Sequence, residues 1–126
     1  MPTMVRMKTF REERGALTVF EKDVPFAIKR VFYTYGVPVG TVRGGHGHKK
    51  TSIGLVAAAG ACTVSGSTRD GAPWSFRLDD PEYCLVLEPG NWHQMLFHLR
   101  GTVLLCLASE DFDPEDYFYD RPSESK

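Results

Sequence analysis

At 126 residues the chain is too short for two ordinary domains, yet long enough to bury about 70% of the surface its unfolded form exposes. Fifteen basic against 16 acidic side chains leave a formal charge of −1, which excludes binding dominated by neutralisation of many phosphates and leaves room only for a local anion site. Cys62, Cys84 and Cys106 are odd in number and sit in apolar runs, so they read as reduced core residues rather than a disulfide framework.

In chain order, Met1-Pro2-Thr3-Met4-Val5-Arg6 lacks the apolar stretch of a signal peptide, and no later segment reaches membrane-span length. A cytoplasmic protein without membrane or nucleic-acid partners is expected. Apolar or alternating segments then predict strands over 17–20, 27–35, 51–58, 61–67, 74–78, 84–87, 94–99 and 102–108. Turns at Gly60, Asp70-Gly71, Asp79-Asp80-Pro81, Pro89-Gly90 and Arg100-Gly101 separate most of them by a few residues. This pattern predicts an all-β fold, a jelly-roll barrel of antiparallel hairpins with an interior wide enough for one ligand. Asp113-Pro114 predicts a short C-terminal helical turn, with Asp113 as N-cap and Pro114 at the first helical position. The surrounding acidic cluster, Glu110 to Asp116, is read as capping and dipole chemistry. Residues 1–120 are expected to form the single domain and 121–126 a polar, disordered tail.

The chemistry concentrates at Arg43-Gly44-Gly45-His46-Gly47-His48-Lys49-Lys50, which carries two of the four histidines. On an extended chain His46 and His48 point to the same side, because strand side chains repeat every two residues. Two imidazoles on one cavity serve either general acid/base chemistry or metal binding. The flanking glycines remove bulk where a ligand must approach. A second signal, Pro89-Gly90-Asn91-Trp92-His93, adds His93, so that a metal held by His46, His48 and His93 is one open reading. His98 reads as a hydrogen-bonded structural residue. Tyr33 and Tyr35 share one face of their strand and are candidates to relay protons. Arg14, Arg43 and Lys49 are candidates to hold a phosphate-bearing substrate, and Trp74 and Trp92 to stack on a base, although burial suits either tryptophan as well.

Together the two histidine segments resemble the halves of the cupin signature, without the glutamate that metal-binding cupins carry shortly after the second histidine. More specifically, Phe10 to Leu17, Ile28 to Pro38, Arg43 to Lys49, Trp92 to Met95 and Leu104 to Tyr117 are similar to the sugar 3,4-ketoisomerases, cupins that act on dTDP-4-keto-6-deoxyglucose. Gly47 departs from the alanine usual between the histidines. The resemblance implies a cupin jelly roll and a homodimer exchanging N-terminal strands. It also implies a nucleotide-linked 4-keto sugar as substrate and no metal or other cofactor. It puts the catalytic histidines on His46 and His48, the preceding arginine on Arg43 and a catalytic tyrosine on Tyr33 or Tyr35. Moving a carbonyl from C4 to C3 needs a base for the C3 proton and a relay between the oxygens. His46 is expected as the base and His48 or Tyr35 as the relay, with Arg14, Arg43, Lys49, Trp92 and His93 about the substrate. The competing readings are a metal-dependent cupin enzyme and a non-catalytic sugar-nucleotide binding module.

Overall fold

The computed structural model describes residues 1–124. In chain order the strands are β1 (Thr3–Arg6), β2 (Lys8–Glu12), β3 (Gly15–Val19), β4 (Arg30–Thr34), β5 (Val42–His48) and β6 (Ile53–Ala59). They continue with β7 (Cys62–Ser67), β8 (Pro73–Leu78), β9 (Tyr83–Leu87), β10 (Trp92–Phe97), β11 (Val103–Ala108) and β12 (Tyr117–Phe118), the last preceded by a 3-10 turn, Pro114–Asp116. Two five-stranded antiparallel sheets, ordered β1-β9-β6-β11-β4 and β12-β5-β10-β7-β8, form the jelly roll, with β2-β3 as a separate hairpin. The all-β expectation therefore holds.

Alternation sets the packing. Ile53, Leu55, Leu85, Leu87, Leu104 and Cys106 of the first sheet meet Cys62, Val64, Trp74, Leu78, Met95 and Phe97 of the second in one buried core. The alternate residues Val56, Cys84, Val86 and Leu107 face outward, yet they too are buried, under Met7, Val24, Phe20, Phe26 and Ile28. Coverage on both faces explains why β6, β9 and β11 read as nearly continuous apolar runs. All three cysteines are buried and unpaired, as expected.

The helical turn is as short as its sequence suggests: the Asp113 side chain accepts a hydrogen bond from Glu115 N, with Pro114 opening a single 3-10 turn. Strands β1, β2 and β12 carry no apolar alternation long enough to announce them, and β4 begins at Arg30 rather than at residue 27. The expected tail is corrected at its start. Arg121 donates to Ser67 Oγ at 2.7 Å and to Gly66 O at 3.2 Å, and stacks on Trp92 with its guanidinium carbon 5.0 Å from the ring centroid. A planar cation over an indole fixes the chain there. Ser125 and Lys126, the end of that expected tail, lie outside the described residues. Among the described residues no helix is long and apolar enough to cross a membrane.

Candidate active site

Strand register assembles the site. In the β10–β5 pair His93 stands opposite His46, and in the β12–β5 pair Tyr117 stands opposite His48. Directly opposed residues of an antiparallel pair lie side by side on one face. Four rings consequently share one wall, with centroids 5.0 Å apart for His46–His93, 5.0 Å for His46–Tyr117, 4.6 Å for His48–Tyr117 and 5.5 Å for His46–His48. The register shifts between His93 and Gln94, whose partner is Gly44, so Gly45 is the extra residue of a bulge. Gly44 and Gly45 take φ of 88° and 79°, a region closed to most side chains. The double glycine is thus a backbone requirement that aims Arg43 and His46 into the same space.

That space is a cavity of about 120 Å³ between the sheets. Its polar wall holds His46, His48, His93, Tyr117 and Arg43, and its floor is Ile53, Leu55, Met95, Leu104 and Cys106, with Phe32 and Thr34 of β4 along one side.

Hydrogen bonding distinguishes the imidazoles. His48 Nδ1 lies 2.9 Å from Asp116 Oδ2, both residues being buried. Asp116 also accepts from Lys50 N at 2.7 Å and from Thr51 Oγ1. Burial pushes the Asp116 carboxyl up, but the bonds from Thr51, Lys50 N and His48 outweigh it and hold it below its ordinary value. An ionised carboxylate only accepts, so His48 carries its proton on Nδ1 and keeps a free lone pair on Nε2. Burial lowers the pKa of His48 against the opposing pull of Asp116. Burial, then the His48 charge, lowers His46, opposed by the Gly44 backbone. His93 is pushed down to about 3 by burial, with His46 and His48 adding to the effect. All three are neutral near pH 7, the form in which an imidazole acts as a base.

Among the described residues no group of three or more His, Cys, Asp or Glu side chains is arranged to hold a metal ion. The imidazoles of His46, His48 and His93, the metal set that the sequence left open, are not so arranged.

The other expected site residues divide. Arg43 lines the cavity. Tyr33 and Tyr35 do not: Tyr33 projects from the outer face of β4 and Tyr35 from the residue just past its end, 61% and 69% exposed, with rings 5.6 Å apart. Strand alternation, which puts Phe32 and Thr34 inside, puts these phenols outside. The same alternation separates Trp92 from His93, and Trp92 lies on the opposite face of β10, buried, with Nε1 donating to Tyr119 O at 2.9 Å. Arg14 is exposed at the tip of the β2-β3 hairpin, its Nε 3.1 Å from Glu12. Lys49 is exposed and joins the site's frame only through its backbone N, which donates to Asp116 O at 2.7 Å. Trp74 is buried with Nε1 donating to Asn91 Oδ1 at 3.1 Å, and His98 pairs with Thr63 at 2.6 Å, both structural. Asp116 leaves the capping role assigned to its cluster, whereas Asp113 keeps it. Asp116, Tyr117 and Thr51 are the site residues that sequence reasoning passed over.

Residues 1–123 match the family model FdtA, described as WxcM-like, C-terminal. The chain is 35% identical over 117 residues, 90% of its length and 83% of the relative's, to the TDP-4-oxo-6-deoxy-alpha-D-glucose-3,4-oxoisomerase of Aneurinibacillus thermoaerophilus. Among solved structures it is similar to a histidine-to-asparagine mutant of the 3,4-ketoisomerase QdtA from Thermoanaerobacterium thermosaccharolyticum in complex with TDP-4-keto-6-deoxyglucose, at TM-score 0.89, 33% identity and coverage of 94% and 87%. It is also similar to the TDP-quinovose 3,4-ketoisomerase WlaRB from Campylobacter jejuni, at TM-score 0.88, 29% identity and coverage of 94% and 92%. With a matching family model over nearly its whole length and a cupin cavity walled by neutral imidazoles, this chain belongs to the FdtA family of sugar 3,4-ketoisomerases and is an isomerase.

Proposed function

We propose that the protein converts TDP-4-keto-6-deoxyglucose to the 3-keto-6-deoxy sugar in deoxysugar biosynthesis. The observation that carries this reading is the pair of neutral imidazoles, one oriented by a buried carboxylate, on a cavity of about 120 Å³. Pockets that bury a whole drug-sized ligand run to roughly 300–1,000 Å³. This one suits a single sugar ring, leaving the nucleotide across the mouth near Arg43. The QdtA mutant is in complex with TDP-4-keto-6-deoxyglucose, which supports the same substrate class here.

In the proposed step His46 takes the C3 proton. The C–H bonding pair becomes the C3–C4 double bond as the carbonyl π pair moves onto O4, giving an enediolate. His48, neutral and held by Asp116, takes the O3 proton on Nε2 and delivers it to O4, so that C3 becomes the carbonyl as C4 receives a proton. Atoms balance with no external oxidant, and the step as written uses no metal or organic cofactor.

A homodimer of one cupin domain per chain, residues 1–120, completes the reading. Its support is apolar surface left open on edge strand β4 (Val31, Tyr33) and at neighbouring Tyr35, and on the separate β2-β3 hairpin (Phe10, Leu17). A cytoplasmic location accords with three unpaired cysteines.

Proton NMR of metal-stripped protein with TDP-4-keto-6-deoxyglucose in heavy water tests the reading. Loss of the C3 signal together with a new 3-keto product is expected. Neither exchange nor product, or activity that returns only when a divalent metal is added, overturns it.

A further inference from the structure

The proposed step names no donor for C4. His46, once it has taken the C3 proton, is one candidate, while His48 serves the two oxygens and C4 must receive a proton when the enediolate collapses. The β4 strand offers no donor that ionises, because its inward residues are Phe32 and Thr34, and Tyr33 and Tyr35 are outside. Arg43 lines the cavity, but a guanidinium does not release its proton. The cavity contains one phenol, Tyr117, set opposite His48 by register and packed against both catalytic imidazoles, 5.0 Å from His46 and 4.6 Å from His48 between ring centroids.

We infer that Tyr117 Oη donates the proton that C4 receives. The inference rests on the ketoisomerase reading and assigns within it a residue on β12 instead of the phenols of β4. The electron count closes. As the O3 proton passes through His48 to O4 and C3=O forms, the C3–C4 π pair moves onto C4 and forms the new C–H bond with the Tyr117 proton. The resulting phenolate is neutralised by the proton that His46 took from C3, across adjacent rings. Each group returns to its starting state. The resting protonation fits this division of labour, since the three imidazoles are held neutral by burial and the His48 Nδ1 proton is committed to Asp116. In the resting site an imidazole is thus the base, and the Tyr117 hydroxyl lies on the same cavity.

The test separates exchange at C3 from formation of product in heavy water. In Tyr117→Phe, with an unchanged melting temperature, product formation is expected to fall by about 10²-fold or more, while deuterium still enters C3 of unreacted substrate near the wild-type rate. Two outcomes overturn the assignment: exchange and product formation falling together, or neither changing. A second measurement uses the unmodified enzyme and substrate deuterated at C3, in ordinary water, over a single turnover. Loss of the label from product is expected; its transfer to C4 shows that His46 returns the proton and overturns the role of Tyr117. If the wild-type enzyme neither exchanges C3 nor forms product, the ketoisomerase reading itself fails, an outcome distinct from either of these.

Discussion

The 2.9 Å contact between His48 Nδ1 and Asp116 Oδ2 joins residues 68 positions apart, and it fixes which nitrogen of His48 faces the cavity. The carboxylate also binds Lys50 N and Thr51 Oγ1, so the segment just after β5 and the turn before β12 meet at one buried oxygen pair. Asp116 thus does two things. It orients the imidazole, and it raises the pKa of His48 against the burial that lowers it.

Asp116→Asn separates these effects from a purely structural one. An amide cannot accept from all three donors, and the imidazole is free to exchange tautomers, so kcat is expected to fall by about 10²-fold. Because the carboxylate raises the His48 pKa, its removal moves the acid limb of the kcat/KM profile to lower pH. A loss of rate with an unmoved limb would assign Asp116 to folding alone. Even in the wild type, the acid limb is expected below the ordinary histidine pKa of about 6.5, since burial lowers both His46 and His48.

His46→Asn tests the base at C3. Asparagine preserves size and polarity but takes up no proton, so turnover should drop by about 10²-fold or more, with substrate affinity by calorimetry changed little. Near-wild-type turnover would hand the C3 proton to His48 or His93.

What was legible in the chain depended on how local the signal is. Alternation along one strand put His46 and His48 on a common face without any knowledge of the sheet. The same rule placed Tyr33 with Tyr35, but no sequence pattern says which face of β4 looks inward; the strand's partners decide that, and they put Phe32 and Thr34 in the cavity. Naming both Trp92 and His93 conflicted with alternation from the start, because neighbours on a strand diverge. Asp116 and Tyr117 were hidden for another reason. Asp116 closes the 3-10 turn and Tyr117 opens a strand two residues long, too short for any period, and the acidic residues around Pro114 fit a helix start equally well, as Asp113 does. The pairing of β12 with β5 is a long-range contact that only the folded chain reveals.

Gly47 presents a case in which a missing side chain positions the site. A Cβ there would lie 2.6 Å from Asn91 O and clash with two carbons of the Phe118 ring, which fills the space beside β5. Gly47→Ala is expected to push β12 away from His48, at a cost of about 1–3 kcal/mol, and to reduce turnover by displacing Tyr117. Adding Phe118→Ala should recover part of the melting temperature, because the ring is the movable half of the clash. If the single variant melts with the wild type, β12 is not held as closely as the contact requires.

The N-terminal hairpin offers a pH-dependent test away from the cavity. Glu82, 6% exposed just before β9, accepts from Arg11 Nη1 at 3.1 Å and Arg6 Nη2 at 3.3 Å, tying the β2-β3 hairpin and β1 together. The Arg11 hydrogen bond, against the opposing effect of burial, holds the Glu82 carboxyl down to about 2. A group whose folded pKa is depressed contributes stability that is complete above its unfolded value, about 4.3 for glutamate, and lost as pH falls toward the folded value. Amide exchange in residues 8–19 should therefore accelerate, relative to the β6 core and after correction for intrinsic rates, between about pH 4 and pH 2. Glu82→Gln should show the loosened hairpin already at pH 7, with β6 still protected. Equal protection of the hairpin in both proteins at both pH values would show that its apolar contacts, rather than this carboxylate, hold it in place.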